Sequence, residues 1–82
     1  MDKPRVETTT TLYVVPDCPL CANARSWLRE HGVPYVERDV KNDFGAFRAM
    51  HRLTRQRLVP VFEFNNEALV RPTDDQLAKL LL

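Results

Sequence analysis

The sequence predicts a small α/β domain in the order β-α-β-α-β-β-α, with a four-stranded mixed sheet flanked by helices. Three observations predict it. First, a β-branched and aromatic run, Thr11 to Val15, is followed at once by apolar residues at helical spacing. Second, another extended stretch, Pro34 to Val40, comes after that helix. Strand, helix and strand in ~30 residues make a crossover unit with two parallel strands. Third, Val61 to Phe64 and Glu67 to Val70 flank Asn65-Asn66, a two-residue turn signal that joins them as an antiparallel hairpin.

Each element has its own local reason. Pro16-Asp17 ends the first strand as a turn. Pro19 suits the first position of the helix that follows, because the N–H it lacks has no helical partner there. Leu20, Ala24, Trp27, Leu28 and His31 recur at steps of three and four, while Arg25, Arg29 and Glu30 can face water. Gly32 closes this helix in the left-handed region, and Pro34 lies just beyond. Tyr35 and Val36 supply the apolar content of the second strand. Asp43 caps a second helix, in which Phe44, Phe47, Met50 and His51 recur at three and four. Thr73 with Gln76 is a capping box that opens a last helix carrying Leu77, Leu80 and Leu81. Trp27, Phe44, Phe47, Phe62 and Phe64 are expected in the core, with His51 partly buried beside them and His31 as a partner for the first helix's dipole.

With 82 residues, 44% of them hydrophobic, the chain has material for one domain near the lower limit of a self-sufficient core. The net charge of +1 gives no global field that argues for nucleic acid or a membrane surface. No apolar stretch approaches the ~20 residues that span a bilayer. Residues 1–10 carry charges but no apolar signal core, so they are expected to be a flexible lead-in to a single domain over 11–82. The expected compartment is the cytoplasm, where a close cysteine pair is catalytic or metal-binding rather than a permanent staple.

Both cysteines of the chain lie in Cys18-Pro19-Leu20-Cys21, at the junction between first strand and first helix. A helix N-terminus presents unpaired N–H groups and positive partial charge, which favours the thiolate at Cys18 by ~0.3–2 kcal/mol. Asp17 opposes that effect. The thiolate is the species that attacks disulfides, and Cys21, inside the helix, is placed to resolve the mixed disulfide. The rival reading is half of a metal site. A structural zinc takes four ligands, and neither His31 nor His51 has the usual spacing to the pair.

Three segments together resemble the glutaredoxin form of the thioredoxin-like fold, over most of the chain. They are Leu12-Tyr13 through Cys18-Pro19-Leu20-Cys21, then Thr54-Arg55-Gln56-Arg57-Leu58-Val59-Pro60, similar to a Thr-Gly-x-Arg-Thr-Val-Pro segment, and Thr73-Asp74-Asp75 at the start of the last helix. Val15 stands where many such proteins have lysine, Leu20 where tyrosine is common, and Arg71-Pro72 where the family has Gly-Gly. The Arg-Pro corner looks more like the small redoxins that reduce ribonucleotide reductase and are recharged by thioredoxin reductase.

The resemblance implies a thiol-disulfide oxidoreductase acting on protein or low-molecular-weight disulfides. It implies Cys18 as nucleophile, Cys21 as resolving thiol, and a cis Val59-Pro60 bond beside them. The Val59 backbone groups would then pair with an extended substrate. Arg57 would take a substrate carboxylate, and one of Asp74 and Asp75 would contact the glutathione amino group at a corner that Thr73 and Asp74 form, although acids in a helix's first turn also simply complement its dipole. Pro19 and Leu20 flank the sulfurs, and Leu20 is expected exposed as an apolar contact. The electron donor implied is glutathione, as co-substrate, or thioredoxin reductase. No tightly bound cofactor, nucleic acid or membrane partner is expected, and the chain is expected to act as a monomer. Arg48, Arg52 and Arg55 are expected on one solvated helical face. The alternative from another class is a non-catalytic adaptor or metal-binding module, in which the arginine-rich and Leu20 surfaces bind a partner.

Overall fold

A computed structural model describes residues 9–82. The elements are β1 (Thr10–Val14), α1 (Pro19–Glu30), β2 (Tyr35–Asp39), α2 (Phe44–Thr54), β3 (Val61–Phe64), β4 (Glu67–Val70) and α3 (Asp74–Leu81). They occur in the predicted order. The sheet runs β2-β1-β3-β4, with β1 parallel to β2 and antiparallel to β3, and β3 antiparallel to β4. The lead-in expected over 1–10 lies, through residue 8, outside the described residues. Thr10 departs from it: this residue already pairs with Tyr35 and is buried.

The local signals act as their chemistry dictates. The Asp43 carboxylate accepts the Ala46 N–H at 3.1 Å and so caps α2. Thr73 Oγ1 accepts the Gln76 N–H at 3.2 Å, while Gln76 Oε1 accepts the Thr73 N–H at 2.8 Å. Gly32 takes φ of 65°, and the Val33 and Gly32 N–H groups return to the carbonyls of Leu28 and Arg29, which closes α1. Asn65 and Asn66 both adopt positive φ, the geometry that matches a two-residue turn to the twist of β3 and β4.

Helices cover both faces of the sheet. The face of Leu12 and Phe62, which are register partners, lies under α1 and α3 together with Ala24, Leu28 and Leu77. Arg25 on α1 pairs with Glu37, the β2 partner of Leu12, on that same face. The opposite face carries Tyr13 and Val61, and α2 lies over it, packing against β2 at one side and β4 at the other. There the Tyr13 hydroxyl donates to Glu63 at 2.6 Å, and the Arg38 guanidinium sits 6.0 Å from the Tyr13 ring centroid. Burial first, then the hydrogen bond to Glu63 and its charge, against Arg38, push the Tyr13 hydroxyl up to about 12.

Helix α2 corrects the expected core. Phe44 is 73% exposed and His51 is exposed, whereas Ala46 and Met50 are fully buried. The repeat of large apolar residues marks a stripe beside the one that faces the sheet. Small Ala46 and flexible Met50 make the contact, while Phe47 is partly buried at the boundary. Phe64 is also only partly buried, at the end of β3, whereas Trp27 and Phe62 lie in the core as expected.

Candidate active site

The parallel pairing of β1 with β2 sends the end of β1 into a tight turn at Asp17, which takes φ of 57°. The turn delivers Cys18 to the N-cap of α1 in an extended conformation, with Pro19 as the first helical residue. Cys18 Sγ accepts the Cys21 N–H at 3.1 Å. The sulfur therefore occupies the position of a capping oxygen, at the positive end of the helix. Cys18 is partly exposed, and Cys21, one turn along, is fully buried. The two are joined as a disulfide with Cα atoms 5.1 Å apart. One sulfur is thus open to attack or be attacked, and the other is shielded.

The β1–β3 register brings the second segment to the first. Tyr13 pairs with Val61, so Pro60 falls opposite Val14, at the end of the sheet that bears the dithiol. The Val59-Pro60 bond is cis, and both residues are buried. The expected open Val59 backbone is corrected in part: its carbonyl accepts Arg71 Nε at 2.7 Å. The Arg71 N–H also donates to the Pro60 carbonyl, at 3.1 Å. Arg71 holds φ of 47°, a conformation in which glycine is at ease, and its two bonds brace the loop from the far side of the hairpin. The sequence marks Arg71-Pro72 as a departure from Gly-Gly that looks like the small redoxins, and this bracing was missed. The need for positive φ at a glycine position was the available signal.

A groove of about 230 Å³ runs from this corner between α1 and α3. It brings together Leu20, Pro60 and Asp74 of the predicted residues, and adds Asn23, Trp27 and Arg71. Leu20 is 47% exposed at its rim, as expected. Pro19 is exposed beside it at the helix start. Thr73 borders the corner, but its backbone N–H and hydroxyl are both used in the capping box. Arg57 is not in the groove; it is exposed on the α2 side, with its guanidinium 5.9 Å from the Phe47 ring centroid. His31 stacks on Trp27 with centroids 4.0 Å apart, at the far end of α1 from the cysteines. Among the described residues, no group of three or more His, Cys, Asp or Glu is arranged to hold a metal ion, and no helix is long and apolar enough to cross a membrane.

An N-capping cysteine joined to a buried one within the helix, on a β2-β1-β3-β4 mixed sheet, defines a thioredoxin-like domain with a CxxC pair. The family model "Glutaredoxin" matches residues 10–69. The chain belongs to the glutaredoxin family. Among solved structures, it superposes on the thioredoxin-like protein BC3987 with a TM-score of 0.82, at 27% identity over 89% of this chain and 100% of that one. A glutaredoxin from Archaeoglobus fulgidus shares the fold, with a TM-score of 0.76 at 17% identity, over 89% of this chain and 85% of that one. Curated relatives include the global transcriptional regulator Spx of Bacillus subtilis, 53% identical over 30 residues, and that of Staphylococcus aureus, 47% identical over 30. Each match spans 37% of this chain and only 23% of the regulator.

Proposed function

We propose that the protein is a thiol-disulfide oxidoreductase that reduces protein or low-molecular-weight disulfides through Cys18 and Cys21. One observation carries the reading: Cys18 Sγ sits at the N-cap of α1, 3.1 Å from the Cys21 amide, with Cys21 buried behind it. In the reduced protein, that N–H and the helix dipole stabilise a Cys18 thiolate. The thiolate attacks a substrate disulfide, forming a Cys18–substrate bond and expelling the first substrate thiolate. Cys21 then loses its proton and attacks Cys18 Sγ, forming the Cys18–Cys21 disulfide and expelling the second thiolate. Two electrons pass to the substrate and two protons complete its thiols. A donor must return two electrons for the next cycle.

The donor is glutathione or thioredoxin reductase, in a reducing compartment such as the cytoplasm. The engaged Thr73 amide and the Arg71 brace leave fewer free groups for a tripeptide at the α3 corner, which supports the reductase. NADPH consumption with a disulfide substrate, run in parallel with glutathione plus its reductase and with thioredoxin reductase, tests both the activity and the donor. Cys18→Ser abolishes turnover and Cys21→Ser accumulates mixed disulfide; retained turnover in Cys18→Ser would overturn the mechanism.

The similarity to Spx favours one second reading, a domain whose cysteine pair serves a partner-binding adaptor rather than a catalyst. Silence with both donors, together with stable capture of a partner that does not need Cys18, supports that reading. Stoichiometric zinc or iron in protein purified without chelator supports its metal-binding form.

A further inference from the structure

Helix α2 begins and ends at the dithiol end of the sheet. It follows the C-terminal end of β2, which runs parallel to β1, and leads into the N-terminal end of β3, which runs antiparallel to β1. Its packing against both β2 and β4, the two outer strands, shows that it crosses the sheet rather than running along it. Both ends of the helix therefore lie toward the end of the sheet that bears Cys18, and its outer side forms a shelf on the face opposite α1.

That shelf has an unusual surface. Phe44 is 73% exposed, with the Arg48 guanidinium 5.9 Å from its ring centroid. One turn on, Phe47 lies under Arg57 and stacks with His51 at 5.7 Å. Phe44, Phe47, Arg48, His51 and Arg52 line a shallow depression of about 240 Å³. Residues 44–62 hold four of the chain's twelve lysines and arginines and none of its eleven acids. A guanidinium lying over an aromatic face keeps its N–H edges free for carboxylates, and the ring beneath holds it in place. Arginine forks beside an exposed phenyl ring complement an acidic segment that also carries an apolar side chain.

We infer that the α2 shelf, lined by Phe44, Phe47, Arg48 and Arg52, docks an acidic segment of the disulfide-bearing protein substrate. This rests on the dithiol reading above: the segment lies along α2 while its disulfide meets Cys18. Charge complementarity names the occupant. A nucleic acid fits less well, because a strand of phosphates calls for an extended basic field and the chain's net charge is +1.

The test is single-turnover reduction by the pre-reduced protein, which needs no electron donor. Three fluorogenic peptides share one cystine loop and carry an Asp/Glu/Leu, a Gln/Leu or a Lys/Leu flank; a small dialkyl disulfide is the control. At low salt the acidic peptide should react with a second-order rate constant about tenfold above the neutral one, from two or three exposed ion pairs. The advantage should shrink at high salt. The double variant Arg48→Ala/Arg52→Ala should abolish the advantage and leave the neutral peptide and the small disulfide unchanged. Equal rates for acidic and neutral peptides, or an advantage that survives the double variant, overturn the docking surface. So does a single-stranded oligonucleotide that displaces the acidic peptide at lower concentration than a Glu/Leu peptide does. Failure to reduce every substrate, the small disulfide included, overturns the dithiol reading instead.

Discussion

Replacing Arg71 by alanine should loosen the loop that meets the cysteines. Its guanidinium donates to the Val59 carbonyl at 2.7 Å, and Val59 is only 7% exposed. Removing the side chain deletes a charge-assisted hydrogen bond worth about 1.5–3 kcal/mol and leaves a buried acceptor short of a partner. Because Arg71 itself is exposed, water recovers part of that, so a loss of about 1–2 kcal/mol is expected. The backbone cost of φ at 47° is shared by arginine and alanine and cancels. Glycine removes that cost, so Arg71→Gly should lose about 1 kcal/mol less than Arg71→Ala, partly offset by the greater freedom of glycine in the unfolded chain. Urea denaturation of the oxidised proteins measures both, with about 4–8 °C of melting temperature per kcal/mol as the thermal counterpart. Reduction of a small disulfide should slow in both variants, as Val59-Pro60 becomes less well held. If Arg71→Ala unfolds at the wild-type midpoint, the bond to Val59 contributes nothing and the bracing argument fails.

Other perturbations read different parts of the structure. Tyr13 ionises near 10 in an unfolded chain but is pushed up to about 12 here, so the unfolded state loses the proton first as pH rises. Its contribution is complete below pH 10 and falls away between about 10 and 12, by about 1–2 kcal/mol after solvent screening; Tyr13→Phe should remove that alkaline slope from the urea midpoint. Thr73→Ala breaks the capping box of α3 and should cost about 1 kcal/mol by the same assay. On α2, Met50→Ala should cost about 2–5 kcal/mol, whereas Phe44→Ser should stay within about 0.5 kcal/mol despite the larger side chain lost. The opposite ranking would place Phe44 in the core after all.

Much of this molecule is written in short-range chemistry, and that part is legible in the sequence. Pro19 at the helix start, the Thr73 and Gln76 pair, Gly32 and Asn65-Asn66 each specify a geometry within a few residues, and each is found in it. The features that escaped are those whose partner is remote. Arg71 acts on Val59, twelve residues away across the hairpin, and no local rule connects the two. Phe44 matches the helical repeat as well as Met50 does, and only the seating of α2 across the sheet decides that Ala46 faces inward. Arg57 lies close in sequence to the Val59-Pro60 loop, yet its side chain goes to Phe47 and not to the groove.

The active corner depends on the same distinction. Cys18-Pro19-Leu20-Cys21 makes a capped helix on its own, but a capped cysteine pair is not yet a place where a substrate is held. The antiparallel register of β1 with β3, Leu12 opposite Phe62 and Tyr13 opposite Val61, sets Pro60 opposite Val14 and so beside the turn that carries Cys18. A slip of one residue would turn Tyr13 and Leu12 to the wrong faces and is forbidden by the core. A slip of two would keep both faces apolar, yet would move Pro60 by nearly 7 Å along the strand, about two residue rises, away from the sulfurs. Specifying against that second slip falls to a pair that only one register makes. The Tyr13 hydroxyl meets Glu63 across β1 and β3 in the observed register, while the Arg71 amide, bonded to the Pro60 carbonyl, holds the loop within the β3–β4 hairpin. The first contact sets the hairpin against β1 and the second holds Pro60 within the hairpin, and together they fix where the substrate-facing loop stands.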